Sequence, residues 1–178
     1  MCLKVLVECK TEELLVRLLL NDISPYHLSG KGKVSRALRD KFEGSVAIVD
    51  EDPGSAQPQY LAGLETVEET DELGTDELKL LYDKGKLKLL YDRDKRNAVA
   101  VIRPRFEEWV IGAAGEAGVR LKDLGLPTNP DELHRVLGAN PQRAERLLKE
   151  LRRRGCGRLE ALTRLLREAL KMARRGEP

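Results

Sequence analysis

The chain opens on a short apolar run, Leu3 to Val7, interrupted only by Lys4 and lacking helical spacing. Such a run predicts a buried strand. It stops at Glu8. Thr11 then stands where a helix cap belongs, and Leu14, Leu15, Leu18 and Leu19 recur on one face of the helix expected next. Ile23 to Leu28 is a connection with room for a second strand. Gly30-Lys31-Gly32-Lys33 reads as a flexible basic turn leading into a helix from about Val34 to Phe42. After Gly44 comes a second apolar strand, Ser45-Val46-Ala47-Ile48-Val49, running directly into Asp50-Glu51-Asp52, and Pro53-Gly54-Ser55 breaks the chain there. Strand, helix, helix and strand in this order predict a parallel α/β sheet with right-handed crossovers.

The pattern then changes. Glu65, Glu68, Glu69, Asp71 and Glu72 make an acidic stretch, expected to hold a short strand near Thr66 and then a loop. Leu-Lys-Leu-Leu-Tyr-Asp occurs at Leu78–Asp83 and again at Leu87–Asp92. The first copy lies between Thr75-Asp76-Glu77 and Gly85, helix start and stop signals, and is predicted as a helix. The second is followed by a polar stretch to Asn97 and by the apolar Ala98–Ile102, which predicts two strands joined by a loop. Pro104 is expected to open a helix continued by Phe106–Ala114, with Trp109 and Val110 in the core. From Val119 the spacing is wholly helical, with helices near Leu121–Leu124, Asp131–Leu137, Pro141–Arg154 and Leu159–Ala173. Asn129 and Asn140 each precede a proline at a helix start. Residues 1–117 therefore read as an α/β domain and residues 118–178 as a basic helical domain or a lid on the sheet.

Composition adds three constraints. The chain has 178 residues, 41% hydrophobic and only 4% aromatic, so its core is expected to be aliphatic. Cys2, Cys9 and Cys156 form no CxxC pair, and His27 and His134 are far apart, which argues against structural zinc. Scattered cysteines in odd number suit a reducing compartment, and the brief apolar start suits neither a signal peptide nor a membrane span. A cytoplasmic protein without a membrane partner is expected. The charge is lopsided. Residues 142–178 carry twelve Lys or Arg against five Glu, a balance of +7, which leaves −5 for the rest of a chain whose net charge is +2. A basic segment beside an acidic one suits a cation site next to a polyanion-binding surface, and equally an arginine-rich solvated helix face.

The chemistry concentrates at two strand ends. One strand ends at Glu8 and another at Asp50-x-Asp52. In an open parallel sheet, ligands bind at the carboxyl ends of the strands. In an extended segment Asp50 and Asp52 would point the same way. Three carboxylates there would repel one another unless a cation held them, and carboxylate oxygens without His or Cys suit Mg²⁺ or Mn²⁺. The plainer alternative is that acids follow strands because loops are polar.

Val5-Leu6-Val7-Glu8-Cys9-Lys10-Thr11-Glu12 resembles the first TOPRIM motif, a hydrophobic strand followed by Glu, Gly, Lys, Thr and an acid. Val46-Ala47-Ile48-Val49-Asp50-Glu51-Asp52-Pro53-Gly54 resembles the second, a hydrophobic strand, DxD and a nearby Gly. Cys9 departs from the usual Gly, and Glu12 from the usual Asp. Arg103-Pro104-Arg105-Phe106-Glu107-Glu108-Trp109 and Gly30-Lys31-Gly32-Lys33-Val34 resemble segments of small stand-alone TOPRIM-like proteins related to OLD-type nucleases. The resemblance covers about residues 1–114. It implies a TOPRIM-like α/β domain with a parallel sheet and helices on both faces; the small C-terminal helical unit read from the leucine spacing follows it. It also implies an Asp/Glu-bound Mg²⁺ site acting on nucleic-acid phosphodiesters, with Glu107 as a further acid near the site. Glu107 is equally explained as a helix-start acid favoured by the helix dipole.

The expectation that follows is a Mg²⁺- or Mn²⁺-dependent nuclease. Glu8, Asp50 and Asp52 would hold the metal, with Glu12 or Glu107 helping a second ion. Lys10, Lys31 and Lys33 are candidates for phosphate contacts, although the spacing is not that of a Walker A loop. Tyr82 and Tyr91 could stack on bases but fit packing better. The expected partner is nucleic acid, DNA favoured over RNA, with a partner ATPase or other protein. The alternatives are a non-catalytic nucleic-acid-binding or assembly adaptor and a small-molecule nucleotide-binding protein.

Overall fold

A computed structural model describes residues 3–67 and 86–175. The helix expected at Leu78–Asp83, the acidic loop after Val67 and Cys2 lie outside the described residues. Six strands form one sheet: β1 (Val5–Val7), β2 (Tyr26–His27), β3 (Val46–Asp50), β4 (Glu65–Thr66), β5 (Leu87–Asp92) and β6 (Asn97–Ile102). Their order is β2-β1-β3-β6-β5-β4. β2, β1, β3 and β6 run parallel, and β6, β5 and β4 run antiparallel. Val7 pairs with Ile48, and Asp50 with Ile102, so β1, β3 and β6 all end at one edge of the sheet.

The α/β architecture expected from the strand and helix order is present, with helices on both faces. The helices are α1 (Lys10–Leu19), α2 (Lys31–Asp40), α3 (Gln59–Ala62), α4 (Phe106–Glu116), α5 (Pro130–Ala139), α6 (Pro141–Arg153) and α7 (Gly157–Arg175). The central strands are apolar at nearly every position because both faces are covered. Val5, Val7, Val46, Ile48, Ala98, Ala100 and Ile102 join one core with α1 and α4 to α7, while Leu6, Ala47, Val49, Val99 and Val101 join a second with α2 and α3. α7 lies against β6 and β3, and α6 against α1, so residues 118–175 share the first core with the sheet. Arg158 joins α7 to α4, donating from Nη1 to Trp109 O at 3.0 Å and from Nε and Nη2 to Glu116 Oε1 at 2.9 and 2.7 Å. Gly112 makes room for it, since a Cβ there would lie 2.4 Å from Nη1.

Several boundaries differ from the sequence reading, each for a local reason. The cap of α1 is Cys9, not Thr11, because the Glu12 carboxylate reaches back to the Glu8 and Cys9 amides while the Cys9 sulfur accepts Glu12 N–H. Gly30-Lys31-Gly32-Lys33 is not a flexible turn. Gly30, at φ 98°, is the N-cap of α2, and its carbonyl accepts Lys33 N–H at 3.1 Å and Val34 N–H at 3.2 Å, so the helix begins at Lys31. Pro104 precedes the start of α4, and its carbonyl instead accepts Asp52 N–H at 2.8 Å. Leu121–Leu124 is a 3₁₀ turn, ended by Gly125 at φ 66°. Asn129 and Asn140 do cap α5 and α6. Among the described residues no helix is long and apolar enough to cross a membrane.

One buried polar side chain holds the opposite edge of the sheet. Asn97 has no exposed surface. Its Oδ1 accepts Ser45 N–H at 3.1 Å, and its Nδ2 donates to Leu38 O at 3.1 Å and Phe42 O at 2.9 Å. It thereby ties β3, β6 and the end of α2 together. Asn97→Leu strands these backbone groups and is expected to cost about 3 kcal/mol in urea unfolding. A loss under about 1 kcal/mol would show that water replaces the amide.

Candidate functional site

The strand-end acids meet where β1 passes into α1 and β3 passes into its loop. β1 ends at Val7, Glu8 follows, and Cys9 opens α1. Glu12, one turn inside, is 1% exposed. Its Oε2 accepts Glu8 N–H at 2.8 Å and Cys9 N–H at 3.2 Å. The helix cap thus carries a carboxylate into the interior. Asp50, the last residue of β3, donates its N–H to Glu8 Oε1 at 3.1 Å. The Asp50 carboxylate accepts a backbone hydrogen bond from Phe106, the first residue of α4. One carboxylate oxygen from each of Glu8, Glu12 and Asp50 lies within 4.8 Å of the others. Glu12 Oε1 and Asp50 Oδ1 are buried without a hydrogen-bond partner.

Burial is the main force on these acids. It raises Glu8, opposed by the Asp50 amide and the Lys31 charge and reinforced by Asp52 and Glu107. It raises Glu12 well above the usual carboxylate range, with Glu8 and Asp50 adding to the effect. It pushes Asp50 up to about 7, against the Phe106 hydrogen bond and with the help of Glu8 and Glu107. Burial and the Glu12 charge likewise raise the Cys9 thiol, which rules it out as a ready thiolate.

The other sequence candidates surround this cluster at different depths. β3 ends at Asp50, and Asp52 has φ 45°, so the alternation that would point both aspartates the same way stops between them. Asp52 Oδ2 accepts Ser55 Oγ–H at 2.5 Å, while its charge still reaches Glu8. The loop is pinned to the end of β6 by Glu51 N–H on Ile102 O and Asp52 N–H on Pro104 O, both 2.8 Å. Glu107 is 9% exposed at the start of α4 and acts on both Glu8 and Asp50. Lys31, the first residue of α2, stands beside the cluster. Gly30 N–H donates to Glu8 O at 3.1 Å, and Lys31 Nζ donates to Glu51 O at 2.9 Å and Gln57 Oε1 at 3.3 Å. Its charge favours ionised Glu8 and Asp50. Lys10 and Lys33 are exposed on the first turns of α1 and α2. Asp50, Glu51, Ser55, Gln57 and Lys88 help line an adjoining cleft of ≈ 350 Å³.

Sequence reasoning missed one participant, His134, whose Nδ1 lies 2.8 Å from Glu107 Oε1. No motif links the two positions; only the packing of α5 on α4 does. The basic C-terminal segment is also less open than its charge balance suggests, because Lys149, Arg153, Arg154, Arg158 and Lys171 all pair with nearby glutamates.

A donor set made only of carboxylate oxygens, two of them buried and unpartnered, suits a hard divalent cation such as Mg²⁺ or Mn²⁺. Comparison with family models, curated proteins and solved structures returns no match. The TOPRIM resemblance accordingly rests on the residues of its motifs.

Without a cation the cluster makes stability fall as pH rises. Each acid binds its proton more tightly folded than unfolded, so the stabilisation is full below the ordinary carboxylate range and is lost as pH climbs through about 7 for Asp50. In chelator-treated protein the melting temperature is expected to decline steadily from about pH 5.5 to about pH 8; an increase over that range would refute it. Glu12→Gln keeps an oxygen for the two amides and removes the charge. It is expected to stabilise the metal-free protein at about pH 8 by about 1 kcal/mol or more.

Proposed function

We propose that this chain acts on nucleic-acid phosphodiesters with a divalent cation, Mg²⁺ or Mn²⁺, held by Glu8, Glu12 and Asp50, and that the reaction is hydrolysis. The observation that carries this reading is the pair of buried, unpartnered oxygens, Glu12 Oε1 and Asp50 Oδ1, inside a three-carboxylate cluster. Leaving such groups without a compensating charge is costly, and a cation removes that cost. Bound there, the ion would polarise a phosphoryl oxygen and lower the pKa of a bound water.

The chain's own groups supply the rest. Glu8, Glu12 and Asp50 are held by backbone amides rather than by flexible side chains, so the site is ordered before any ligand arrives. Lys31 stands at the first turn of α2, which no side chain caps, and Cβ atoms at Gly30 and Gly32 would meet nothing within 4 Å. An open helix start with an ammonium group suits phosphate oxygens. The adjoining cleft offers room for the unit flanking that phosphate. Exposed Lys10 and Lys33 and exposed C-terminal arginines such as Arg146 and Arg167 offer cationic groups to a polyanion, with DNA as the favoured partner. Asp52 and Glu107, whose charges act on Glu8, are the candidates for a second ion.

One observation favours the adaptor alternative. Asp52, the second acid of the DxD, is engaged by Ser55 within its own loop, as suits a site used for shape rather than for metal. In that case a partner ATPase or other protein would supply activity.

The test is cleavage of plasmid DNA, single-stranded DNA and RNA in Mn²⁺ and Mg²⁺, with Asp50→Asn beside wild type. The substitution is expected to lower cleavage by at least about 100-fold while nucleic-acid binding persists. Nucleic-acid binding without cleavage by the wild type over a wide metal range would favour the adaptor.

A further inference from the structure

One side chain of the C-terminal helices reaches the acidic site. Three consecutive residues at the start of α4 each hold something there. Arg105 donates from Nη1 to Asp131 Oδ1 at 3.1 Å, the Phe106 backbone bonds the Asp50 carboxylate, and Glu107 meets His134. Asp131 and His134 lie one turn apart on α5, so the two side-chain bridges fix the register of α5 against α4. α5 is itself well anchored. Asn129 accepts Asp131 N–H at 3.0 Å and Glu132 N–H at 3.1 Å, and Leu133 and Leu137 are buried.

Donation from the imidazole to the Glu107 carboxylate uses the form of His134 that carries a hydrogen on Nδ1. The His134 side chain is 72% exposed while that of Glu107 is 11% exposed. A contact with one partner in solvent adds little to stability. Its consequence lies in the buried partner, whose charge acts on Glu8 and Asp50 alike.

We infer that His134 is a positioning residue of the acidic site: by donating from Nδ1 to Glu107 it holds that buried carboxylate at the start of α4, next to the Phe106 amide that bonds Asp50, where the Glu107 charge adds to the attraction of the Glu8, Glu12 and Asp50 cluster for a divalent cation. The inference rests on the metal-dependent reading above. Outer-shell partners of a metal site fix the orientation of its acidic groups, and their loss typically costs about 10- to 100-fold in metal affinity. The helical segment therefore completes the site as well as covering the sheet.

The experiment is Mn²⁺ titration of the full chain by calorimetry and electron paramagnetic resonance. Wild type is compared with His134→Ala, His134→Asn, Glu107→Gln, the His134→Ala/Glu107→Gln double variant and Asp50→Asn. His134→Ala is expected to weaken Mn²⁺ binding roughly 10-fold with an unchanged metal-free melting temperature. His134→Asn keeps most of the affinity, because its amide N–H₂ branches where Nδ1 does. The double variant binds no more weakly than Glu107→Gln alone, since both changes act through one carboxylate. Wild-type affinity in His134→Ala, alongside loss in Asp50→Asn, would overturn this inference and leave the metal reading standing. So would fully additive effects in the double variant. Absence of Mn²⁺ binding by the wild type would overturn both.

Discussion

Glu12 is a carboxylate placed where water does not reach. Its burial is imposed by chain geometry: β1 is covered on both faces, α1 starts within three residues of it, and the cap of α1 needs a group that reaches back to the strand-end amides. Glu12 does this with one oxygen and leaves the other without a partner. A helix-capping interaction, ordinarily a surface device, has become part of a buried acidic cluster. Glu8 and Asp50 arrive at the same place because the parallel register of β1 and β3 ends both strands at one edge.

That arrangement costs stability once the acids ionise. Three acids within 4.8 Å are tolerated only because amides from Glu8, Cys9, Asp50 and Phe106 and the Lys31 charge offset part of the repulsion. The remainder is met by protons at low pH and suits a cation at higher pH. The loops that carry the acids are held in place. The segment after β3 is pinned to the end of β6, and α4 begins where its first amide meets Asp50. Asn97 does the corresponding work at the far edge, so both ends of β3 are fixed.

The C-terminal helices enter this scheme twice. α7 seals the sheet face on which α1 and α4 lie, and the Arg158 bridge through the notch at Gly112 sets its place. α5 adds His134 to Glu107. Local pairing consumes much of the positive charge of this segment, so its packing role and its charge are separate properties. The first is built into the core; the second belongs to side chains such as Arg143, Arg146 and Arg167 that face solvent.

The parts of this protein that depend on local periodicity are legible along the chain. Apolar runs at Leu3–Val7 and Ser45–Val49 mark doubly covered strands, Leu87–Asp92 and Ala98–Ile102 mark the hairpin, and Asn129 and Asn140 mark helix starts, because burial and capping act over a few residues. Glu8 and Asp50 were legible as neighbours for the same reason: apolar strands ending in acids, in a parallel order, end together. The remaining features depend on contacts beyond one turn of chain, set by the packing of the fold. It chose Cys9 over Thr11 as the cap, turned Gly30 into a helix start, and set Asp52 apart from Asp50 through a left-handed residue. It also joined His134 to Glu107 across 27 residues. Those outcomes follow from packing helices on a shared core, and packing distance has no counterpart in the spacing of residues along the chain.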